Sequence, residues 1–372
     1  MIDDSVYCSM LHGGLYLHLE DTMPWVEACC LRPDDYAIEV GKPFWPINQM
    51  QDVRTKNLSG IWDPGCQQCH SLEAAGMRSF RQGMNHGLGI FGRDTVSGPA
   101  RIDIMFDISC NLACRTCGPE LSTFWQKQLK SLGEWHQPIR APKDRQQVID
   151  VLATLDLSNL RQVVFCGGET LLGQEYWEVA RWLTEHTPRA KQNLMLCFQT
   201  NGTRPISQQN FDVIESCKLI KLQVSIDGIG PRFEYLRWPA SWTAVRNNLM
   251  YLRQHLPGNV MFLVEQTISI FNVLYLDDVD RWVRQTFDTP GLDPVDCTRH
   301  LAWGPFSIKN SSQELMNMIH DRGLGELVEI DWREDSDAIR SMLSQIKKFD
   351  AHRDQRFQDI FPELFACFKR FW

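Results

Sequence analysis

CNLACRTCG, residues 110–118, places Cys110, Cys114 and Cys117 four and three residues apart. A cysteine inside an apolar run is ordinarily a small buried hydrophobe, and Cys166, Cys197 and Cys217 read that way. Three thiols separated by the polar Asn111, Arg115 and Thr116 have little reason to be core residues. Their spacing lets one short loop fold around a single centre. Zinc would require a fourth ligand, which the loop lacks and which His136 or a distant cysteine would have to supply. A cubane iron–sulfur cluster accepts three protein thiolates and leaves one iron open to another ligand. A second group of thiols, Cys8, Cys29, Cys30, Cys66 and Cys69, lies in the first 95 residues. There the turn Asp63-Pro64-Gly65 leads into Cys66-x-x-Cys69, the shape of a metal knuckle, for which zinc is the plain alternative to a cluster.

The remainder of the composition narrows the setting for this chemistry. The chain has 372 residues, 43% of them hydrophobic and 23% charged, which suits one large folded domain with a smaller one and excludes wholesale disorder. A net charge of −8 disfavours a generic nucleic-acid or anionic-membrane surface. No segment approaches the roughly 18 apolar residues of a membrane span. The acidic first thirty residues do not read as a signal peptide. A cytoplasmic location is expected, and in a reducing compartment 13 cysteines point to metal or redox chemistry rather than disulfides.

The elements that must position the thiols show a repeated order. RIDIMFDIS (101–109) reads as a strand ending at Cys110, followed by a helix with Leu121, Phe124, Trp125 and Leu129 on one face and Pro119 in its first turn. RQVVFCGGE supplies a second strand, followed by a helix carrying Tyr176, Val179, Ala180 and Leu183. NLMLCFQTNG and LIKLQVSIDG give a third and a fourth. A helix with Val245, Leu249 and Leu252 on one face follows, then NVMFLVEQTISI as a fifth strand and HLAWGPFSI, from His300, as a sixth. Alternation at this spacing predicts parallel β/α units with right-handed crossovers, whose ligand site lies at the carboxyl ends of the strands. Cys110, Gly167-Gly168-Glu169, Thr200-Asn201-Gly202 and Ser225 to Asp227 all fall at such ends.

Cys110-x-x-x-Cys114-x-x-Cys117 after a first strand, with Gly167-Gly168-Glu169 after the second, resembles the signature of the radical S-adenosylmethionine (SAM) superfamily. The resemblance implies an α/β fold, a partial (β/α)6 barrel over residues 96–310. It implies a catalytic [4Fe–4S] cluster on Cys110, Cys114 and Cys117, whose open iron binds SAM and whose electron cleaves it to a 5′-deoxyadenosyl radical. By position, Gly167 and Gly168 would expose backbone to the methionyl amino group with Glu169 nearby, Ser225 and Asp227 would lie near the ribose or carboxylate, and Glu265 or Gln266 would line the pocket. The sequence departs from many members in having Thr116, not an aromatic residue, before the third cysteine. Adenine contact would then fall to backbone or to Phe106 or Phe165.

Residues 1–95 resemble the twitch subgroup of the same superfamily, with the cysteine-rich module placed in front. The Cys29-Cys30 pair, the Leu58 to Trp62 region and Cys66-x-x-Cys69 followed by Glu73 and Arg78 carry that resemblance. It implies an auxiliary [4Fe–4S] cluster on Cys66, Cys69, one of the adjacent pair, here Cys30, and Cys8. SIDGIGPRFEYLRWPASW and QTISIFNVLYL extend the likeness to about residue 280, and residues 311–372 are expected to form a helical extension. The implied activity is peptide modification by epimerisation, cross-linking or oxidation, with a peptide or small-molecule substrate and a flavodoxin or ferredoxin as electron donor. For epimerisation, Cys297 and Cys367 are the hydrogen-donor candidates by elimination. The competing reading is an iron–sulfur or zinc protein without catalysis, with a structural or electron-transfer role.

Overall fold

The computed structural model describes residues 6–19, 24–32, 36–74, 79–88, 98–140, 144–287, 296–302, 304–325 and 332–372. Its centre is a nine-stranded sheet: β1 (Gly14–His18), β2 (Trp25–Glu27), β3 (Tyr36–Ala37), β4 (Arg101–Met105), β5 (Gln162–Cys166), β6 (Met195–Thr200), β7 (Leu219–Ser225), β8 (Val260–Ile268) and β9 (Asp296–Leu301). The order is β3-β2-β1-β4-β5-β6-β7-β8-β9. From β4 to β9 every neighbouring pair is parallel. This is the arrangement expected when strands alternate with crossover helices. Five of the six expected strands are present, in chain order, and the sixth shares only His300 and Leu301 with the segment expected.

Two elements differ from the sequence expectation for local reasons. The sixth strand ends at Leu301 rather than beginning at His300, because Gly304-Pro305 breaks the run into 3-10 turns at Gly304–Phe306 and Ile308–Asn310. The helix expected from Pro119 starts at Thr123, where the Ser122 hydroxyl accepts from the Trp125 N–H and caps it. Pro119 instead lies in the turn leading into it.

The amino-terminal residues add three strands that the sequence pattern did not reveal. β1 runs parallel to β4, pairing Gly14 with Arg101 through His18 with Met105, and β2 and β3 continue the sheet antiparallel. The boundary expected near residue 95 therefore falls within a continuous sheet, and one apolar core joins Met10, Leu15 and Leu17 to Ile102, Ile104 and Phe165. A second core ties the carboxyl-terminal helices, including Gln313–Asp321 and Ser336–Arg353, to Tyr235, Ile270 and Phe271.

Alternation assigns each strand residue to a face. Ile102 and Ile104, Val163 and Phe165, Leu196 and Phe198, Leu222 and Val224, and Phe262 and Val264 pack into the core under the helices. Their alternating neighbours Asp103, Cys166, Gln199, Gln223, Ser225 and Glu265 occupy the opposite, inner face.

Candidate active site

The loop bearing the three cysteines leaves the carboxyl end of β4 and is strapped to the segment after the helix Pro231–Leu236. Ala113 N–H donates to the Trp238 carbonyl at 2.8 Å and Arg115 N–H to the Leu236 carbonyl at 2.7 Å. Trp125 Nε1 donates to the Cys114 carbonyl at 2.8 Å, and the Thr123 hydroxyl accepts from the Cys110 N–H at 3.2 Å. The three thiols are half-buried at the residue level. Burial pushes Cys110 up to about 12 and raises Cys114 and Cys117 above the usual thiol range, with like-charge coupling to Cys114 adding to the shifts of the other two. Two nitrogens approach the sulfurs. Arg237 Nη1 lies 3.8 Å from Cys114 Sγ, and Asn201 Nδ2 lies 3.9 Å from Cys110 Sγ. Such donors stabilise thiolates and tune a cluster they hold.

The Gly-Gly-Glu segment ties the end of β5 to the cysteine loop. The N–H of Gly168 donates to the Asp107 carbonyl and that of Glu169 to the Ser109 carbonyl, and an amino group, itself a donor, would call on the carbonyls of this segment rather than on these amides. Gly167 has φ +117°, and a Cβ there would stand 2.3 Å from the Asp107 carbonyl oxygen; one at Gly168 would stand 2.2 Å from that of Ser109. The glycines permit two loops to touch. Glu169 is 2% exposed and its carboxylate accepts from Leu171 N–H, the Thr200 hydroxyl and Asn201 N–H at 3.0, 2.5 and 2.6 Å. Burial raises this carboxyl and the three donors oppose the shift. Glu169 thus joins the ends of β5 and β6 and holds Asn201 beside Cys110.

Asp227 is likewise consumed by the protein. Its Oδ1 accepts from the Thr267 N–H at 2.7 Å and its Oδ2 forms a 2.8 Å ion pair with Arg237 Nη2. Its role is to hold Arg237, a residue absent from the expected ligand set, against Cys114. Ser225 lies on the inner face at the end of β7, in register with Glu265 of β8. Gln266 does not line that face: strand alternation turns it toward the helices, where it accepts from Arg299 Nε at 3.0 Å. Glu265 occupies the inner face, accepting from Gln223 Nε2 at 2.8 Å and lying 3.7 Å from His300. Phe106 and Phe165 are fully buried around Tyr176 and cannot reach a ligand on the inner face.

In the amino-terminal region Cys8, Cys29, Cys66 and Cys69 line one cavity, with about 410 Å³ of empty space counting its open mouth. This corrects the choice within the adjacent pair. Cys29 lines the cavity, whereas Cys30 is exposed beside it and feels the charges of Arg101 and Asp103. The two thiols lie in contact with each other, Cys29 on the cavity wall and Cys30 on its exposed side. Arg32 Nη1 donates to Cys66 Sγ at 3.4 Å and pairs with Asp63 at 2.9 Å. Glu73 is held by Arg81, which also reaches the Tyr7 carbonyl; Arg78 lies outside the described residues. Among the described residues no three His, Cys, Asp or Glu side chains converge on a single metal ion.

Neither hydrogen-donor candidate faces the inner side. Cys297 shares the helix-side face with Val264, its register partner, and is influenced by Asp280 and Arg284. Cys367 is buried in the carboxyl-terminal core with its sulfur 3.3 Å from Met318 Sδ. Cys166 lies on the inner face, 3.2 Å from the Tyr16 hydroxyl.

The sheet is mostly parallel and carries the three-thiol loop at the carboxyl end of one strand, where such sheets place their ligand sites. Residues 108–282 match the family model of the radical SAM superfamily, so this part of the chain is a radical SAM domain. No curated protein matches it. Among solved structures it is similar to Streptococcus suis SuiB bound to S-adenosylmethionine, at 11% identity and a TM-score of 0.39, covering 98% of this chain and 75% of the other. It is also similar to SuiB bound to the precursor peptide SuiA, at 12% identity and a TM-score of 0.37, with 96% and 75% covered. Native anSMEcpe with bound AdoMet matches at 15% identity and a TM-score of 0.41, covering 69% of this chain and 62% of the other. Among the described residues no helix is long and apolar enough to cross a membrane.

Proposed function

We propose that this chain cleaves S-adenosylmethionine reductively at a [4Fe–4S] cluster held by Cys110, Cys114 and Cys117, and abstracts hydrogen from a peptide. The observation that carries the proposal is the three-thiol loop, fixed at the carboxyl end of β4 within the matched domain and approached by Arg237 and Asn201. When bound, the reduced cluster supplies the electron that breaks the SAM sulfonium and yields the 5′-deoxyadenosyl radical. The protein's own work is to hold the loop through Trp238, Leu236 and Trp125, to lock the adjoining strand ends through Glu169, and to present a polar inner face to substrate.

Support for a peptide comes from the twitch-like segments of the sequence and from that face. Lys221, Gln223, Ser225, Glu265 and Thr267 give it hydrogen-bonding and charged groups of both kinds along two adjacent strands. Cys8, Cys29, Cys66 and Cys69 would hold an auxiliary [4Fe–4S] cluster. Four thiols around one cavity leave no open iron, so electron transfer is its role, with a flavodoxin or ferredoxin as external donor. Epimerisation, cross-linking and oxidation of the peptide all fit this reading: Cys297 and Cys367 face away from the inner side, whereas Cys166 lies on it.

The test is anaerobic reconstitution, iron analysis and reduction in the presence of SAM. The proposal expects two clusters per chain and 5′-deoxyadenosine that disappears in a Cys110→Ala/Cys114→Ala/Cys117→Ala variant. A colourless protein with stoichiometric zinc, or a clustered protein that forms no 5′-deoxyadenosine, would return the chain to the non-catalytic reading.

A further inference from the structure

Three buried arginines from three separate parts of the chain surround the back of the cysteine loop. Arg115 follows Cys114 directly, Arg237 caps the helix Pro231–Leu236, and Arg353 ends the helix Ser336–Arg353; they are 1%, 7% and 6% exposed. Two have carboxylate partners. Arg115 Nη2 lies 2.6 Å from Asp350 Oδ1, and Arg237 Nη2 lies 2.8 Å from Asp227 Oδ2. Asp350 is fully engaged, since it also accepts from the Tyr235 hydroxyl and the Phe357 N–H.

Arg353 has no carboxylate of its own among the described residues. Its Nη2 donates to Gln128 Oε1 at 2.9 Å, while Nε and Nη1 are buried without a hydrogen-bond partner. The guanidinium lies over the rings of Trp125, Trp238 and Phe349 at 4.9, 5.0 and 5.3 Å. Those rings belong to the loop's own clamps, since Trp125 binds the Cys114 carbonyl and Trp238 the Ala113 N–H. Burial and the neighbouring Arg115 push Arg353 down to about 9, and its charge acts in turn on Cys114. Of the three, Arg353 alone has no carboxylate within ion-pair distance among the described residues, whereas Arg237 also feels the buried Glu169. An uncompensated buried charge of this kind costs several kcal/mol unless a counter-charge arrives.

A cluster on three thiolates is anionic and becomes more so on reduction, and its potential follows the local charge. We propose that Arg353, delivered from the carboxyl-terminal helix outside the matched domain, is a positioning residue whose unpaired guanidinium balances the negative charge of the reduced cluster behind Cys114. This rests on the cluster reading above. It assigns the carboxyl-terminal segment a direct electrostatic part in a site whose ligands all lie more than 200 positions earlier in the chain.

The test is a redox titration of the reconstituted chain followed by electron paramagnetic resonance, the three-thiol cluster being the signal that changes on adding SAM. Arg353→Gln should move its midpoint to more negative values by at least the ~59 mV that corresponds to a tenfold change in a one-electron constant. Arg353→Lys, which keeps the charge, should stay within that interval. An unchanged Arg353→Gln potential, or an equal shift in Arg353→Lys, overturns the inference. Should Arg353→Gln fail to hold iron, the melting temperature of the cluster-free variant decides. A value at or above that of the cluster-free parent supports the electrostatic role, and a lower value shows a packing role and overturns it. A parent chain that assembles no SAM-responsive cluster fails at the earlier step and removes the cluster reading itself.

Discussion

The adjacent cysteines Cys29 and Cys30 show how much one residue's direction decides. Cys29 lines the four-thiol cavity and Cys30 is exposed outside it. On the auxiliary-cluster proposal, Cys29→Ala/Cys66→Ala, which leaves two thiols at the cavity, should remove about half of the reconstituted iron, whereas Cys30→Ala should retain it, as iron and sulfide analysis will show. The composition of the pair could not make this distinction, because both residues have the same chemistry. Glu169 is comparable: its place after two glycines was legible, but its partners were not. With three donors on one carboxylate, Glu169→Ala leaves the Thr200 hydroxyl and the Asn201 N–H without their acceptor, a loss of about 2–4 kcal/mol. Thermal or denaturant unfolding of the cluster-free protein measures it.

At the scale of elements, the strand ends are assembled by contact between loops. Gly167 and Gly168 bring the end of β5 onto the carbonyls of Asp107 and Ser109, one turn before Cys110. A methyl group at Gly168 meets backbone, which cannot rotate away as a flexible side chain would. Gly168→Ala should cost roughly 1–3 kcal/mol and displace the cysteine loop. Lower iron occupancy together with a lower unfolding midpoint is the expected result, and a variant with parental iron and stability would show that the loops yield. Five of the six parallel strands could be read from sequence because each is a short apolar run closed by glycine or a polar turn, whereas β9, DCTRHL, has no such run and begins four residues before the segment expected from His300. β1 could not, since GLYLH acquires its meaning as a strand through pairing with β4.

For the molecule as a whole, the many buried thiols set a pH limit. Burial pushes Cys8 up to about 11 and Cys110, Cys217 and Cys297 up to about 12, from an ordinary value near 9. Above pH 9 the unfolded chain has lost thiol protons that the folded chain retains, so the unfolded state binds fewer protons and stability falls as pH rises. The cluster-free chain should lose melting temperature steadily from about pH 9 to 12. A flat profile over that range would mean that the thiols are more accessible than their burial implies. The two apolar cores explain how distant segments share in the site: one joins the amino-terminal strands to the barrel strands, and the other binds the carboxyl-terminal helices to residues 235–308.

The sequence by itself determined the chemistry on offer and the order of the parallel strands, because thiol spacing, glycine turns and hydrophobic periodicity are local properties. It also indicated that Cys66 and Cys69 belong with partners from the first thirty residues. Only the tertiary structure decided that Cys29 and not Cys30 enters the cavity, and that Gln266 points to the helices while Glu265 points inward. It also decided that Asp227 holds Arg237 and that Arg353 comes to rest beside the cysteine loop. Such outcomes depend on which face of a strand is buried and on contacts between residues more than 200 positions apart, and neither is encoded in spacing along the chain.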